Sequence, residues 1–171
     1  APMAVFYLEL LMELGAKVFA VVGEAGAISP KLKIGDIFLP TWALREEGTS
    51  YHYAPLSYSP KPSPEVLSAI REQLQLLGAN YLEGGIWSTD APFKETRRKV
   101  EAFSSLGVLA VDMETSALMT VAAAKGAELA ACLAISDELY GKEWKAGFWT
   151  DELKEAERTA VKASLMALSS L

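Results

Sequence analysis

The chain has 171 residues, of which 51% are hydrophobic and 22% charged, and it carries a formal net charge of -6. That length and apolar share suit a single domain over 1–171 with a sizeable core. The scattered Lys and Arg residues offer no basic face to a phosphate backbone, which argues against a nucleic-acid partner, and no apolar run reaches the length of a membrane span.

Val5, Leu8, Leu11 and Met12 recur at helical spacing, and Gly15 stops that helix. The opening residues, Ala1 to Glu9, lack a basic region and do not read as a signal peptide; removal of an initiator Met and clipping further upstream both account for a start at Ala1. Residues 17–22 read as a buried strand, because β-branched residues run together without polar alternation. A Gly-rich turn is expected at Gly23 and Gly26, then a strand over 37–39 after Gly35-Asp36. The polar, aromatic stretch 45–64 reads as an irregular excursion. Ser63-Pro64-Glu65 caps a helix to about Leu77.

A strand is expected near 81–87, then a helix over 94–103, a strand over 108–111 and an alanine-rich helix over 115–125. Residues 128–135 give another buried strand, and Thr150 caps a last amphipathic helix carrying Leu153, Ala156, Ala160, Leu165 and Leu168. Strands alternating with helices predict an α/β fold, a three-layer αβα domain around a central mixed, largely parallel sheet. The single cysteine, Cys132, lies in an apolar run and reads as a small core residue in a reducing, cytoplasmic setting.

Open α/β sheets bind ligands at the carboxyl ends of their strands. Residues 23–27 (Gly-Glu-Ala-Gly-Ala) come after one strand, and paired glycines let backbone N–H groups approach a ligand; Glu24 opposes an anion there, and a tight turn is the plainer explanation. Asp112-Met113-Glu114 comes after another strand. Near a helix N-terminus Glu114 stays ionised and offers paired oxygens to paired hydroxyls, although acidic residues serve there for capping alone. Ser136-Asp137 comes after the last buried strand, where Asp137 is placed to act as an acid. Behind it lie Tyr140, Trp144, Phe148 and Trp149, read as a lid, an oligomer contact or core packing.

The ordered set Gly23-x-x-Gly26-Ala27, Gly35-Asp36-Ile37, Ser88-Thr89-Asp90-Ala91-Pro92-Phe93, Asp112-Met113-Glu114-Thr115-Ser116-Ala117 and Ser136-Asp137 resembles the nucleoside phosphorylase family, which includes purine nucleoside and uridine phosphorylases and related nucleosidases. The resemblance implies roles position by position. Glu114 would hold the ribose hydroxyls, Met113 would pack against the sugar, and Asp112 stands where the family often has Glu. Phe93 would stack near the base, Gly26 would line the substrate site, and Asp137 with Ser136 would bond N7 of a leaving purine.

The chain also departs from the family pattern. The family's opening strands, with a Gly and an Arg of the phosphate site, do not precede Ala1, so the fold is expected to be N-terminally shortened. Val21 replaces an Arg, and Glu24 replaces a phosphate-binding Ser or Thr, which nominates Glu24 as a base for water. The uracil-reading Gln-x-Arg is absent after Phe93, with Arg98 as a conceivable substitute, so Ser136-Asp137 tilts the reading towards purines.

The resemblance therefore implies a pentosyltransferase cleaving the N-glycosidic bond of a purine nucleoside with phosphate as co-substrate and no cofactor or metal. The alternatives are an N-glycosidase using water and a non-catalytic nucleoside-binding relative. A homo-oligomer built on dimers is expected, because a shortened sheet would leave an edge needing cover.

Overall fold

The strand β5 (Glu128–Glu138) is buried because its alternate side chains serve different layers. Leu129, Ala131, Leu133 and Ile135 join a core with helices α1 (Pro2–Glu13) and α4 (Thr115–Lys125). Ala130, Cys132 and Ala134 face the opposite core, against α2 (Pro64–Leu76) and α5 (Asp151–Leu168). This is the predicted three-layer αβα arrangement. It is seen in a computed structural model that describes residues 1–171. The Cys132 thiol is pushed up to about 12 by burial, as expected of a core residue rather than a nucleophile.

The remaining elements are β1 (Val18–Ala27), β2 (Ile37–Glu46), β3 (Tyr81–Thr89), α3 (Arg97–Ser105), β4 (Val108–Asp112) and β6 (Lys145–Ala146), with short 3-10 turns at Thr49–His52 and Pro92–Lys94. The sheet runs β1-β4-β3-β2-β5-β6, and β1 also pairs with β5, so five of its strands close into a ring. The β1–β5, β2–β3 and β3–β4 pairings are parallel, whereas the short β1–β4 and β2–β5 pairings that close the ring are antiparallel. The sheet is mixed and largely parallel as expected, and its two antiparallel closures are short, joining Gly26 and Ala27 to Val111 and Ala110, and Ile37 and Phe38 to Ala134 and Leu133.

Several boundaries differ from those expected of the sequence. Gly23 and Gly26 do not form a turn: β1 continues to Ala27 because β5 pairs with it throughout, with a register shift between Ala25 and Gly26. Likewise β5 continues through Ser136 and Asp137 to Glu138. The first residues of the supposed excursion finish β2, with a register shift between Pro40 and Trp42 where Pro40 cannot donate to the ladder. The segment after β2 is tied down by Arg45, whose guanidinium donates to the carbonyls of Pro55 at 2.6 Å and Ala54 at 3.0 Å. Finally α3 begins at Arg97, because the Thr96 hydroxyl accepts the Lys99 N–H at 3.4 Å and caps the helix.

Candidate active site

A cavity of about 870 Å³ opens where β1, β4 and β5 end, a size suited to a small molecule. Its walls include Gly23 to Gly26, Val111 to Glu114, and Ser136 with Asp137. Pro92, Phe93, Glu95 and Arg97 close one side, Glu157 of α5 another, and the loop after β5 forms the roof. All eight residues singled out from the sequence therefore line one cavity: Glu24, Gly26, Phe93, Asp112, Met113, Glu114, Ser136 and Asp137.

The turn between β4 and α4 is organised by Asp112. Its Oδ1 accepts from Ser88 Oγ at 2.5 Å, and its Oδ2 accepts from the Thr115 N–H at 2.8 Å and the Thr115 hydroxyl at 2.5 Å. Ser88 Oγ in turn accepts the Ser116 N–H at 2.8 Å. Burial pushes Asp112 up to about 6 despite these bonds, which favour the charged form. Capping of α4 thus falls to Asp112, whose oxygens are occupied. Glu114 makes no side-chain cap bond and leaves its carboxylate 44% exposed to the cavity, 3.6 Å from the Ala1 amino group. Met113 is half-buried beside it.

A second network, which no sequence pattern announces, backs this turn. The buried Glu47 accepts from the Ser116 hydroxyl at 2.9 Å, from the Ser50 N–H at 2.8 Å and from the Ser50 hydroxyl. It fastens the end of β2 to the first turn of α4, so the residues presenting Glu114 are held from two sides.

Asp137 is held just as closely. Ser136 Oγ donates to Asp137 Oδ1 at 2.7 Å, and the indole Nε1 of Trp144 donates to Oδ2 at 2.7 Å. Gly26 lies against Leu139 and this carboxylate: a Cβ there would come within 2.5 Å of Leu139 Cδ1, 3.1 Å of Oδ2 and 3.2 Å of Oδ1. The close approach explains the glycine better than any turn does. The roof loop is also tied across the mouth, where Arg97 Nη2 donates to the Lys142 carbonyl at 2.8 Å. Behind it Glu138 accepts from the Tyr140 hydroxyl at 2.8 Å and pairs with Lys145 at 3.2 Å.

Acidic side chains outnumber basic ones around the cavity: Glu24, Glu95, Asp112, Glu114, Asp137, Glu143 and Glu157 face Arg97 and Lys142. Glu24 is raised by burial and by the Glu157 carboxylate beside it, with a further push from Asp137. It meets a second acid, not a lysine. Glu95, which the sequence motifs did not single out, is raised to about 7 by burial and then by the charge of Asp137, against the pull of Lys99. A carboxyl titrating near neutrality inside a cleft is suited to proton transfer. Phe93 stands at the rim, fully exposed, with its ring free to receive a planar ligand.

A family model described as "Phosphorylase superfamily" matches residues 1–171. The chain is 27% identical to a guanosine phosphorylase of Halorubrum lacusprofundi, over 99% of the chain and 72% of that protein. It is 30% identical to a DeoD-type purine nucleoside phosphorylase of Clostridium novyi, over 94% of the chain and 66% of that protein. It is 29% identical to the uridine phosphorylase of Escherichia coli over 69% of the chain, and spans 52% of that protein's length. The purine nucleoside phosphorylase of Toxoplasma gondii, solved with immucillin-H, shares the fold with a TM-score of 0.88 at 24% identity, over 96% of this chain and 67% of that one.

Proposed function

Because the chain belongs to the phosphorylase superfamily, we propose that it cleaves the N-glycosidic bond of a nucleoside, with purine nucleosides as its first substrates. One observation carries this reading: Phe93, Met113 with Glu114, and Ser136 with Asp137, which come from three separate stretches of the chain, open onto a single cavity. Glu114, the carboxylate left unbonded by side-chain capping, takes the ribose hydroxyls, and Met113 packs against the sugar. Phe93 stacks on the base, and Asp137, oriented by Ser136, bonds the base as it leaves. The bond from C1′ to the base nitrogen breaks through an oxocarbenium-like state, the nucleophile's oxygen bonds C1′, and the base departs with a proton.

The relatives named for guanosine and purine nucleosides support a purine, and the relative named for uridine keeps a pyrimidine among the substrates to be tried. For the nucleophile, water is a second reading beside phosphate, favoured by the Glu24–Glu157 pair in the cavity wall. The exposed apolar face of α1, with Met3, Phe6, Tyr7, Leu10, Leu11 and Leu14, supports a homo-oligomer in which a second copy covers it.

The test is a base-release assay on guanosine, inosine, adenosine and uridine, with and without phosphate. Ribose 1-phosphate formed only with phosphate establishes a phosphorylase, and free ribose formed without it a nucleosidase. Binding without release establishes the third reading, a non-catalytic relative. No binding and no release of any of the four refutes all three.

A further inference from the structure

The Asp137 carboxylate is not idle in the structure. Oδ1 is engaged by Ser136, Oδ2 is engaged by Trp144, and Gly26 packs beneath. The two donors differ in kind. Ser136 precedes Asp137 on β5 and is buried, so it stays with the carboxylate. Trp144 lies in the roof loop just before β6, is 60% exposed, and lines the same cavity. Its ring also packs on Phe148, with centroids 5.9 Å apart. An indole N–H donates and cannot accept, so it bonds the carboxylate where any incoming donor would have to bond.

We propose that Trp144 is a specificity-determining residue of the base subsite: its indole N–H holds the oxygen of Asp137 that a bound base must engage, so a heterocycle enters by replacing that donor with an N–H of its own. The inference rests on the reading of the cavity as a nucleoside site. A base with an N–H exchanges one charge-assisted hydrogen bond for another and is accepted. A base without one strips Oδ2 of its partner and leaves a carboxylate oxygen unsatisfied, which is strongly disfavoured. The exchange also frees the indole. Its anchorage to β5 then depends on the β6 pairing, Asp137 with Ala146 and Glu138 with Lys145.

The test compares the wild-type chain with Trp144→Phe, which keeps an aromatic ring and removes the donor. The change lies at an exposed position, and an unchanged far-UV spectrum checks that the variant is folded. Adenine, which carries N–H donors, and caffeine, a purine with none, are titrated by calorimetry and by tryptophan emission. We expect adenine to bind the wild type and shift its emission, caffeine to bind at least tenfold more weakly, and Trp144→Phe to bind adenine about three- to tenfold more tightly with most of the emission change gone. Equal affinity of the two proteins for adenine, or tighter binding by the wild type, overturns the role of Trp144 while leaving the nucleoside reading intact. Caffeine binding as well as adenine overturns it too. Failure of both adenine and adenosine to bind the wild type refutes the nucleoside reading and this inference together.

Discussion

Asp112→Asn separates the charge of a buried carboxyl from its hydrogen bonds, and the two effects oppose each other. Asp112 is raised from 3.8 to about 6, so its ionised form is disfavoured in the folded chain by roughly 3 kcal/mol at 1.36 kcal/mol per pH unit. Because the folded value is the higher one, the native state holds the proton longer than the unfolded chain. The stability from this group is complete below about pH 3.8 and is lost as pH rises through about 6.

An Asn in the same place has no such dependence. Its carbonyl can take the Thr115 donors and its amide can donate to Ser88 Oγ, which has a lone pair to spare. The shift to about 6 is already net of the charge assistance of those bonds, so the neutral Asn compares with the protonated carboxyl. Below about pH 3.8 the two proteins should lie within about 1 kcal/mol of each other, and above about pH 7 Asp112→Asn should be the more stable by up to roughly 3 kcal/mol. Urea melts of both proteins over this range read the difference directly, and the titration of Glu95 drops out because both proteins contain it. The variant should gain on the wild type as pH rises from about 4 to about 7. A difference that stays constant, or that moves in favour of the wild type, would mean that Asp112 is stabilised as an anion, and the reasoning fails.

Three further outcomes are expected. Glu114→Gln keeps the shape but removes the charge, and should weaken ribonucleoside affinity in calorimetry by about tenfold or more; unchanged affinity would show that the carboxylate does not hold ribose. Glu24→Ser should lower base release in the absence of phosphate if water is the nucleophile, whereas strict phosphate dependence in the parent protein removes the idea. If Glu95, raised to about 7, delivers a proton, kcat/KM should hold below that pH and fall above it. Glu95→Gln should then lose that limb, and a pH profile identical to the wild type's would remove Glu95 from proton transfer.

The parts of this molecule that were legible in the sequence are those fixed by local pattern. The apolar periodicity of α1, the Ser63 cap of α2 and the unbroken apolar run of β5 each state their own structure. Elements extended by a neighbour were misjudged. Gly23 and Gly26 look like turn residues, yet β1 runs through them because β5 supplies its hydrogen bonds, and the glycine at position 26 is explained by Leu139 and Asp137, which occupy the space a side chain would fill. Glu95 had a faint local signal: Thr96 behind it is a capping residue, so Glu95 stays outside α3, next to the cavity. Its raised pKa arises from burial and from Asp137, more than forty positions away in sequence. Trp144 read only as part of an aromatic loop, since its partner is known only once β5 and β6 pair.

The charge of the cavity bears on the choice of nucleophile more directly than any single substitution does. Glu24 and Glu95 are both raised in part by the charge of Asp137, so the acids around it already repel one another. At about 4 Å and an effective dielectric near 20, one unit charge repels another by roughly 4 kcal/mol, and a phosphate dianion beside even one ionised carboxylate meets about twice that. An oxocarbenium-like sugar gains from the same field, because its positive charge develops only in the transition state. Water, being neutral, is neither attracted nor repelled. Sharing of a proton between Glu24 and Glu157 would lower the repulsion without abolishing it. Under the proposed reading, a cavity with this sign would aid departure of the base while discouraging an anionic attacker, which is the physical argument for water as the alternative nucleophile.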